Sequence, residues 1–187
     1  MPRLVIKALL VLSALFAFSG LANAHATAYG WIEKTLVEAL SIEAKAKLDS
    51  GALTSSIHAE DVEHFERKGE DWVRFTLSFE DEESGEEVSK RMERPLYRDL
   101  TVRGAGGKEE RPVVLLKICM GETIYEEQFS LNNRGDMLYP VLLGRRTIQH
   151  LGNIDVTRTF MHDPDCDEHS PVNTFEEMKE KDQDSES

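Results

Sequence analysis

The run Ile42-Glu43-Ala44-Lys45-Ala46-Lys47-Leu48 alternates apolar and polar residues without a break, then stops at Asp49-Ser50-Gly51-Ala52. A period of two marks a half-buried strand, because successive side chains leave a strand on opposite faces. The residues that follow are turn formers and small side chains. The chain must therefore hold a carboxylate at the tip of a tight turn, at the end of a strand with one buried face. Other segments repeat the pattern. Phe65, the turn Lys68-Gly69-Glu70-Asp71 and Trp72 to Phe79 read as a hairpin, and Pro112 to Cys119, a turn at Gly121-Glu122 and Thr123 to Leu131 read as another. Glu80 to Lys90 is charged and reads as a solvated loop or hairpin tip, Pro95 to Val102 as a short strand, and Gly104 to Gly107 as a turn. Met137 to Leu143 is apolar and ends at Gly144; a short helix is expected over Arg145 to Leu151 and a last strand at Ile154 to Val156. Many short strands with one short helix point to an all-β closed barrel or sandwich over residues 28–160.

The ends of the chain read differently. Arg3 and Lys7 precede an apolar run from Ala8 to Phe18, and Ala22-Asn23-Ala24 follows with small residues. That is the pattern of a cleavable signal peptide over residues 1–24, with cleavage after Ala24 and a secreted or periplasmic product. The apolar run is too short to span a bilayer, so no stable membrane insertion is expected. Residues 161–187 are acidic and nearly free of core residues, which reads as a disordered or loosely docked tail. The whole chain carries 22 basic and 35 acidic residues, a net −13. Without Arg3 and Lys7 the balance is 20 against 35, or −15. Such a field repels nucleic acid and anionic lipid, and neither is an expected partner. Cys119 and Cys166 either pair in an oxidising compartment, pinning the tail to the core, or remain thiols with Cys119 buried. His162, Asp163, Asp165, Cys166, Asp167 and His169 match no structural zinc spacing and read as solvated tail; no metal site is expected.

The chemistry centres on Asp49-Ser50-Gly51-Ala52. A carboxylate must project from a rigid turn, Gly51 lets the backbone pass without a Cβ, and the Ser50 hydroxyl is placed to tie the turn down. An Asp-Ser-Gly triplet alone makes ordinary turns. A second block, Val141-Leu142-Leu143-Gly144-Arg145, follows Asp49 by 144 − 49 = 95 residues. Together these resemble the Asp-Thr/Ser-Gly loop and apolar-apolar-Gly segment of the pepsin and retropepsin clan. Further blocks narrow the resemblance: Gly30-Trp31, Lys45 to Ala52, Thr54-Ser55-Ser56, His58-Ala59, Trp72 to Phe75, Arg111 to Val114 and Met137 to Arg145. In order, they are similar to a bacterial family once labelled ATP-dependent zinc proteases, associated with RimK-type glutamate ligases and now grouped with retropepsin-like aspartic endopeptidases.

The resemblance implies a single-lobe, retropepsin-like closed β-barrel with Asp49 as the catalytic carboxylate. Ser50, Gly51, Ala52, Leu143 and Gly144 would support its loop, and Thr54, Ser55, His58 and Arg145 would lie on the substrate side. Only one such motif is present, so two carboxylates sharing a proton require Asp49 from each subunit of a homodimer acting on a peptide or protein substrate. The glycine-tipped flap of such enzymes falls either at Lys68-Gly69 or at Gly104 to Gly107. The relatives' association with ligases that add glutamates to protein tails implies a cytoplasmic setting, at odds with the export signal. The older label fails on the residues: no His-Glu-x-x-His string occurs, and Gly107-Lys108 runs into Glu109, with Val102 where a P-loop needs its first glycine. Neither zinc nor ATP is an expected cofactor. A non-catalytic, monomeric peptide-binding or regulatory module on the same fold is the alternative.

Overall fold

The computed structural model describes residues 26–37, 40–104 and 107–185. The signal-like segment 1–24 lies outside the described residues. Strands dominate, in the order β1 (Ala28–Gly30), β2 (Ile32–Val37), β3 (Ile42–Leu48), β4 (Ser55–His58), β5 (Glu60–Arg67), β6 (Glu70–Glu80), β7 (Glu87–Pro95), β8 (Arg98–Gly104), β9 (Gly107–Met120), β10 (Thr123–Asn132) and β11 (Val141–Leu143). Helix α1 (Arg145–Leu151), β12 (Asn153–Asp155), β13 (Val172–Asn173) and α2 (Phe175–Ser185) complete the chain. Among the described residues no helix is long and apolar enough to cross a membrane.

The main sheet runs β10-β4-β11-β3-β2-β9, and β9 pairs back with β10, so the ladder returns to its start. β8 pairs with the outer half of β9, and β13 with the end of β10 that β4 leaves free. A second sheet, β5-β6-β7, lays the alternating face of β6 (Val73, Phe75, Leu77 and Phe79) on the same core as Ile57, Ile118, Phe129 and Leu143. The β3 alternation behaves as its pattern predicts: Ile42, Ala44, Ala46 and Leu48 are buried, and the residues between them are partly exposed.

Two buried carboxylates fix the returning chain. Glu33, fully buried on β2, accepts backbone N–H bonds from Gly30, Met161 and His162 at 2.5 to 3.2 Å, so the segment after β12 is held across the mouth of β2. Glu127 on β10 is bonded to His150 at the end of α1. A buried charge persists only where such donors replace its lost water.

Three expectations need correction. Glu80 to Lys90 is not all loop, because β7 begins at Glu87. Five of the nine β7 residues are charged, as suits the edge strand of a small sheet. Its cross-strand pairs are ionic, with Glu93 meeting Arg67 and Arg74, and Arg91 meeting Glu63. Residues 161–185 are not disordered or loosely docked: Cys166 is bonded to Cys119, β13 pairs with β10, and α2 buries Phe175 and Met178. The fold therefore has two helices rather than one. Two apolar residues at i, i+3 and one disulfide are enough to dock a stretch whose average composition looks unfoldable.

Candidate active site

β3 and β4 are consecutive in the chain, yet they are not neighbours. β11 lies between them, parallel to β3 (Leu143 opposite Leu48) and antiparallel to β4 (Val141 opposite Ile57). The connection 49–54 must therefore cross the end of β11. At the crossing stands Gly144, where an added Cβ would lie 2.7 Å from the carbonyl carbon of Thr54 and 2.9 Å from the carbonyl atoms of Leu53. Its φ of −85° is open to any residue, so glycine is needed for space and not for backbone conformation.

The crossing is tied by hydrogen bonds on both sides. Asp49 N–H donates to Leu143 O at 2.8 Å, Arg145 N–H to Ala52 O at 2.9 Å and Arg146 N–H to Leu53 O at 3.3 Å. The buried Ser55 hydroxyl accepts from Gly144 N–H at 3.0 Å and meets the Thr147 hydroxyl at 2.7 Å. Within the loop, Ala52 N–H donates to Asp49 O, and Gly51 N–H donates to Asp49 Oδ1 at 2.9 Å. The turn is thus closed by the aspartate's own carboxylate. The Ser50 hydroxyl, expected to tie it down, makes no hydrogen bond among the described residues. It is the Ser50 carbonyl that is held, by the Arg145 guanidinium at 3.1 Å.

The Asp49 side chain is about 29% exposed, and its Oδ2 lies 3.3 Å from Lys47 Nζ. Partial burial pushes its pKa up, but the Gly51 N–H and the Lys47 ammonium outweigh that and hold it below the usual carboxylate range. In one chain Asp49 is thus an ionised acceptor on a rigid support. Among the described residues no second carboxylate shares a hydrogen bond with it.

The other expected site residues divide. Thr54 receives Arg98 Nη2 at 3.0 Å, and Arg98 also reaches Gln128 on β10. Thr54, Ser55 and Arg145 therefore tie the loop to its surroundings. His58 is buried on β4; its Nδ1 accepts the backbone N–H of Arg134 at 2.8 Å, which leaves the ring proton on Nε2. It anchors the loop before β11 and does not bond to Asp49. Arg134 was not expected. Burial and Arg111 lower its guanidinium pKa, opposed by the attraction of Asp49. Its Nε donates to Tyr139 O at 3.2 Å, and it brings buried positive charge to the Asp49 side of the fold. Lys47 was legible in principle, since residues two apart on a strand share a face. Arg134 and Arg98 come from distant segments, with no local signal.

Both flap candidates are hairpins. The β5–β6 turn carries Lys68 and Gly69 at φ of 54° and 83°; the β8–β9 turn pairs Gly104 with Gly107, and residues 105 and 106 lie outside the described residues. Among the described residues no His/Cys/Asp/Glu group is arranged to hold a metal ion.

The sequence model of one family, described as the RimB-like retropepsin-like aspartic endopeptidases, matches residues 28–165. A solved structure of a Legionella pneumophila protein of unknown function, Lpg0085, is similar at 32% identity with a TM-score of 0.61, covering 72% of this chain and 97% of that one. Among curated proteins, one from Shewanella pealeana named "Probable alpha-L-glutamate ligase" is 33% identical over 117 residues. Another of the same name from Parasynechococcus marenigrum is 34% identical over 105 residues. The match covers 62% and 56% of this chain but only 25% and 22% of those relatives, so the chain spans about a quarter of their length.

Proposed function

The chain belongs to the RimB-like family of retropepsin-like aspartic endopeptidases, and from that premise we propose that it is an exported peptidase whose Asp49 activates water together with Asp49 of a second copy. The observation that carries this reading is the crossing at Gly144. It holds an otherwise ordinary Asp-Ser-Gly turn against β11 and leaves the carboxylate accessible. The ring of paired strands is read as the closed barrel that such a lobe requires.

In the dimer the two carboxylates share one proton, because like charges about 3 Å apart cannot both ionise. The ionised one takes a proton from water as the water oxygen attacks the scissile carbonyl carbon. The protonated one gives its proton to the carbonyl oxygen. The tetrahedral diol then collapses: the C–N bond breaks, the amine leaves with a proton from the carboxyl that took it from water, and a diol hydroxyl gives its proton to the other carboxylate, which restores the shared proton. Lys47 and the Gly51 N–H favour the ionised partner. The pair titrates as a unit, with one apparent value raised over that of the single chain.

Export is supported by the signal-like start and by the Cys119–Cys166 disulfide, a bond that persists in oxidising compartments. The name of the glutamate ligase relatives describes proteins about four times longer than the matched region, and ligation is not part of this proposal. A second reading, a monomeric peptide-binding module, is favoured by the Lys47–Asp49 ion pair, an ordinary resting state for a structural carboxylate.

A peptide-library digest at several pH values, comparing the mature protein with Asp49→Asn, separates the two readings. Cleavage abolished by the substitution is the expected result. Cleavage that survives in Asp49→Asn refutes the mechanism. A protein that cleaves nothing and sediments as a monomer is a binding module.

A further inference from the structure

The family match ends at residue 165, and the described chain continues for another twenty residues. That extension is docked at three points. Cys166 is joined to Cys119 on β9. Val172 and Asn173 of β13 pair in parallel with Ile124 and Tyr125 of β10, on the same edge that β4 occupies further along. α2 then starts beside Glu126, which accepts the Phe175 N–H, and buries Phe175 and Met178.

The third point is unlike the other two. His150, in the last turn of α1, stands between two carboxylates: Nδ1 is 2.6 Å from Glu127 Oε1 on β10, and Nε2 is 3.2 Å from Asp182 Oδ2 on α2. Glu127 is 1% exposed and the His150 side chain 12%, so the pair at its centre is largely buried. Gln149 of α1 also donates to Asp182, at 2.7 Å. Around the bridge lies a cavity of about 310 Å³ whose remaining charged groups are Arg98 from β8, Arg146 from α1 and Lys179 from α2, with Tyr97 and Phe175 forming its apolar wall. The helix carrying His150 is seven residues long. Its first two N–H groups hold the carbonyls of Ala52 and Leu53 in the Asp49 loop. One short element thus joins the extension to the candidate site.

We propose that residues 166–185 form a proton-dependent strap, closed over β10 and α1 while His150 bridges Glu127 and Asp182, and released from α1 when that bridge loses its proton.

The direction follows from the contacts. Burial pushes Glu127 up, against the opposing pull of His150. Burial pushes His150 down, but Glu127 and Asp182 together outweigh it and hold the imidazole above its ordinary value. Both ring nitrogens of His150 face carboxylate oxygens, which only the doubly protonated imidazolium can serve with two N–H groups; undocking α2 removes Asp182, so the bridge holds its proton less tightly in the open form. The closed strap holds more protons. The folded value of His150 is raised, so this contribution is complete below its ordinary value and is lost as pH rises through the raised one. For His150 the loss begins above the ordinary histidine value of 6.5. The disulfide keeps the released segment tethered at Cys166, so opening is local and reversible. None of this depends on Asp49 being catalytic.

The test is amide hydrogen exchange of α2 in the oxidised mature protein between pH 6 and 9, with each rate referred to the intrinsic exchange rate at that pH. Protection of the α2 amides should fall by up to about tenfold per pH unit over the window in which one proton is lost, while core amides of β6 stay unchanged. His150→Gln keeps a hydrogen-bond partner for Glu127 but cannot titrate, and it should flatten the profile. Asp182→Asn, a change on a partly exposed helix face that leaves the core intact, should move the midpoint to lower pH. Protection of α2 that is independent of pH in the unsubstituted protein overturns the proposal. So does a midpoint unmoved by Asp182→Asn, or a slope that survives His150→Gln.

Discussion

Replacing Gly144 by alanine tests the architecture of the site most directly. The added carbon would sit 2.7 Å from the Thr54 carbonyl carbon and 2.9 Å from the Leu53 carbonyl carbon and oxygen. Ordinary contact begins at 3.4 Å, so relief requires 3.4 − 2.7 = 0.7 Å of separation. All three atoms are backbone, and no change of rotamer can supply the space. The 49–54 connection must move away from β11, which stretches the bonds from Arg145 and Arg146 to Ala52 and Leu53. Overpacking of this kind costs about 1–3 kcal/mol, or a fall in Tm of roughly 2–12 °C for a chain of this size. Catalysis should suffer more than stability, because a displacement near 1 Å in a reacting group costs about 100-fold. Gly144→Ala should therefore lose at least tenfold in kcat/KM on any peptide the unsubstituted protein cleaves, assayed well below the Tm of both. Unchanged Tm and turnover would mean that the loop does not depend on the crossing, and the assignment of Gly144 would fail.

Further outcomes follow from the same contacts. Reducing the Cys119–Cys166 bond opens a loop with a sequence separation of 47, for which chain entropy gives about 4 kcal/mol at most; the denaturant midpoint should drop on reduction, and an unchanged midpoint refutes a structural role. Glu33→Ala strips the N–H groups of Gly30, Met161 and His162 of their acceptor, each orphaned donor costing about 1–3 kcal/mol; loss of stability with new protease cleavage near Met161 is expected, and resistance equal to the unsubstituted protein contradicts it. Lys47→Met should let the Asp49 carboxyl titrate closer to its ordinary value, as followed by carboxyl-carbon NMR. Because the folded value is depressed, the stabilisation from this ion pair is present above the ordinary aspartate value and disappears as pH falls through the lowered one. A titration indifferent to the substitution would show that Lys47 does not act on Asp49.

Local patterns were legible where the physics is local. The alternation of Ile42 to Leu48, the hairpin turning at Lys68-Gly69, the hairpin turning at Gly121 and the helix Arg145–Leu151 all follow from neighbours in the chain, and the structure has each of them. β7 was hidden because an edge strand exposed on most of its length needs no apolar alternation. The C-terminal segment was hidden because two apolar residues among many acids carry its docking. At the site, Asp49, Gly51 and Gly144 stood out because a carboxylate on a glycine turn is a local motif. The partners of His58 and Arg145 were not legible, since each is set by a distant segment: for His58 the Arg134 amide, for Arg145 the Ser50 carbonyl.

The interleaving of β11 between β3 and β4 has a temporal meaning as well. Contacts across it join residues separated by as many as 95 positions, and pairing over such distances comes late in folding. A chain emerging from its amino end exposes Asp49 long before Leu143 and Gly144 exist to brace it. Until they arrive the carboxylate rides on a connection that lacks its bonds to Leu143 and Arg145.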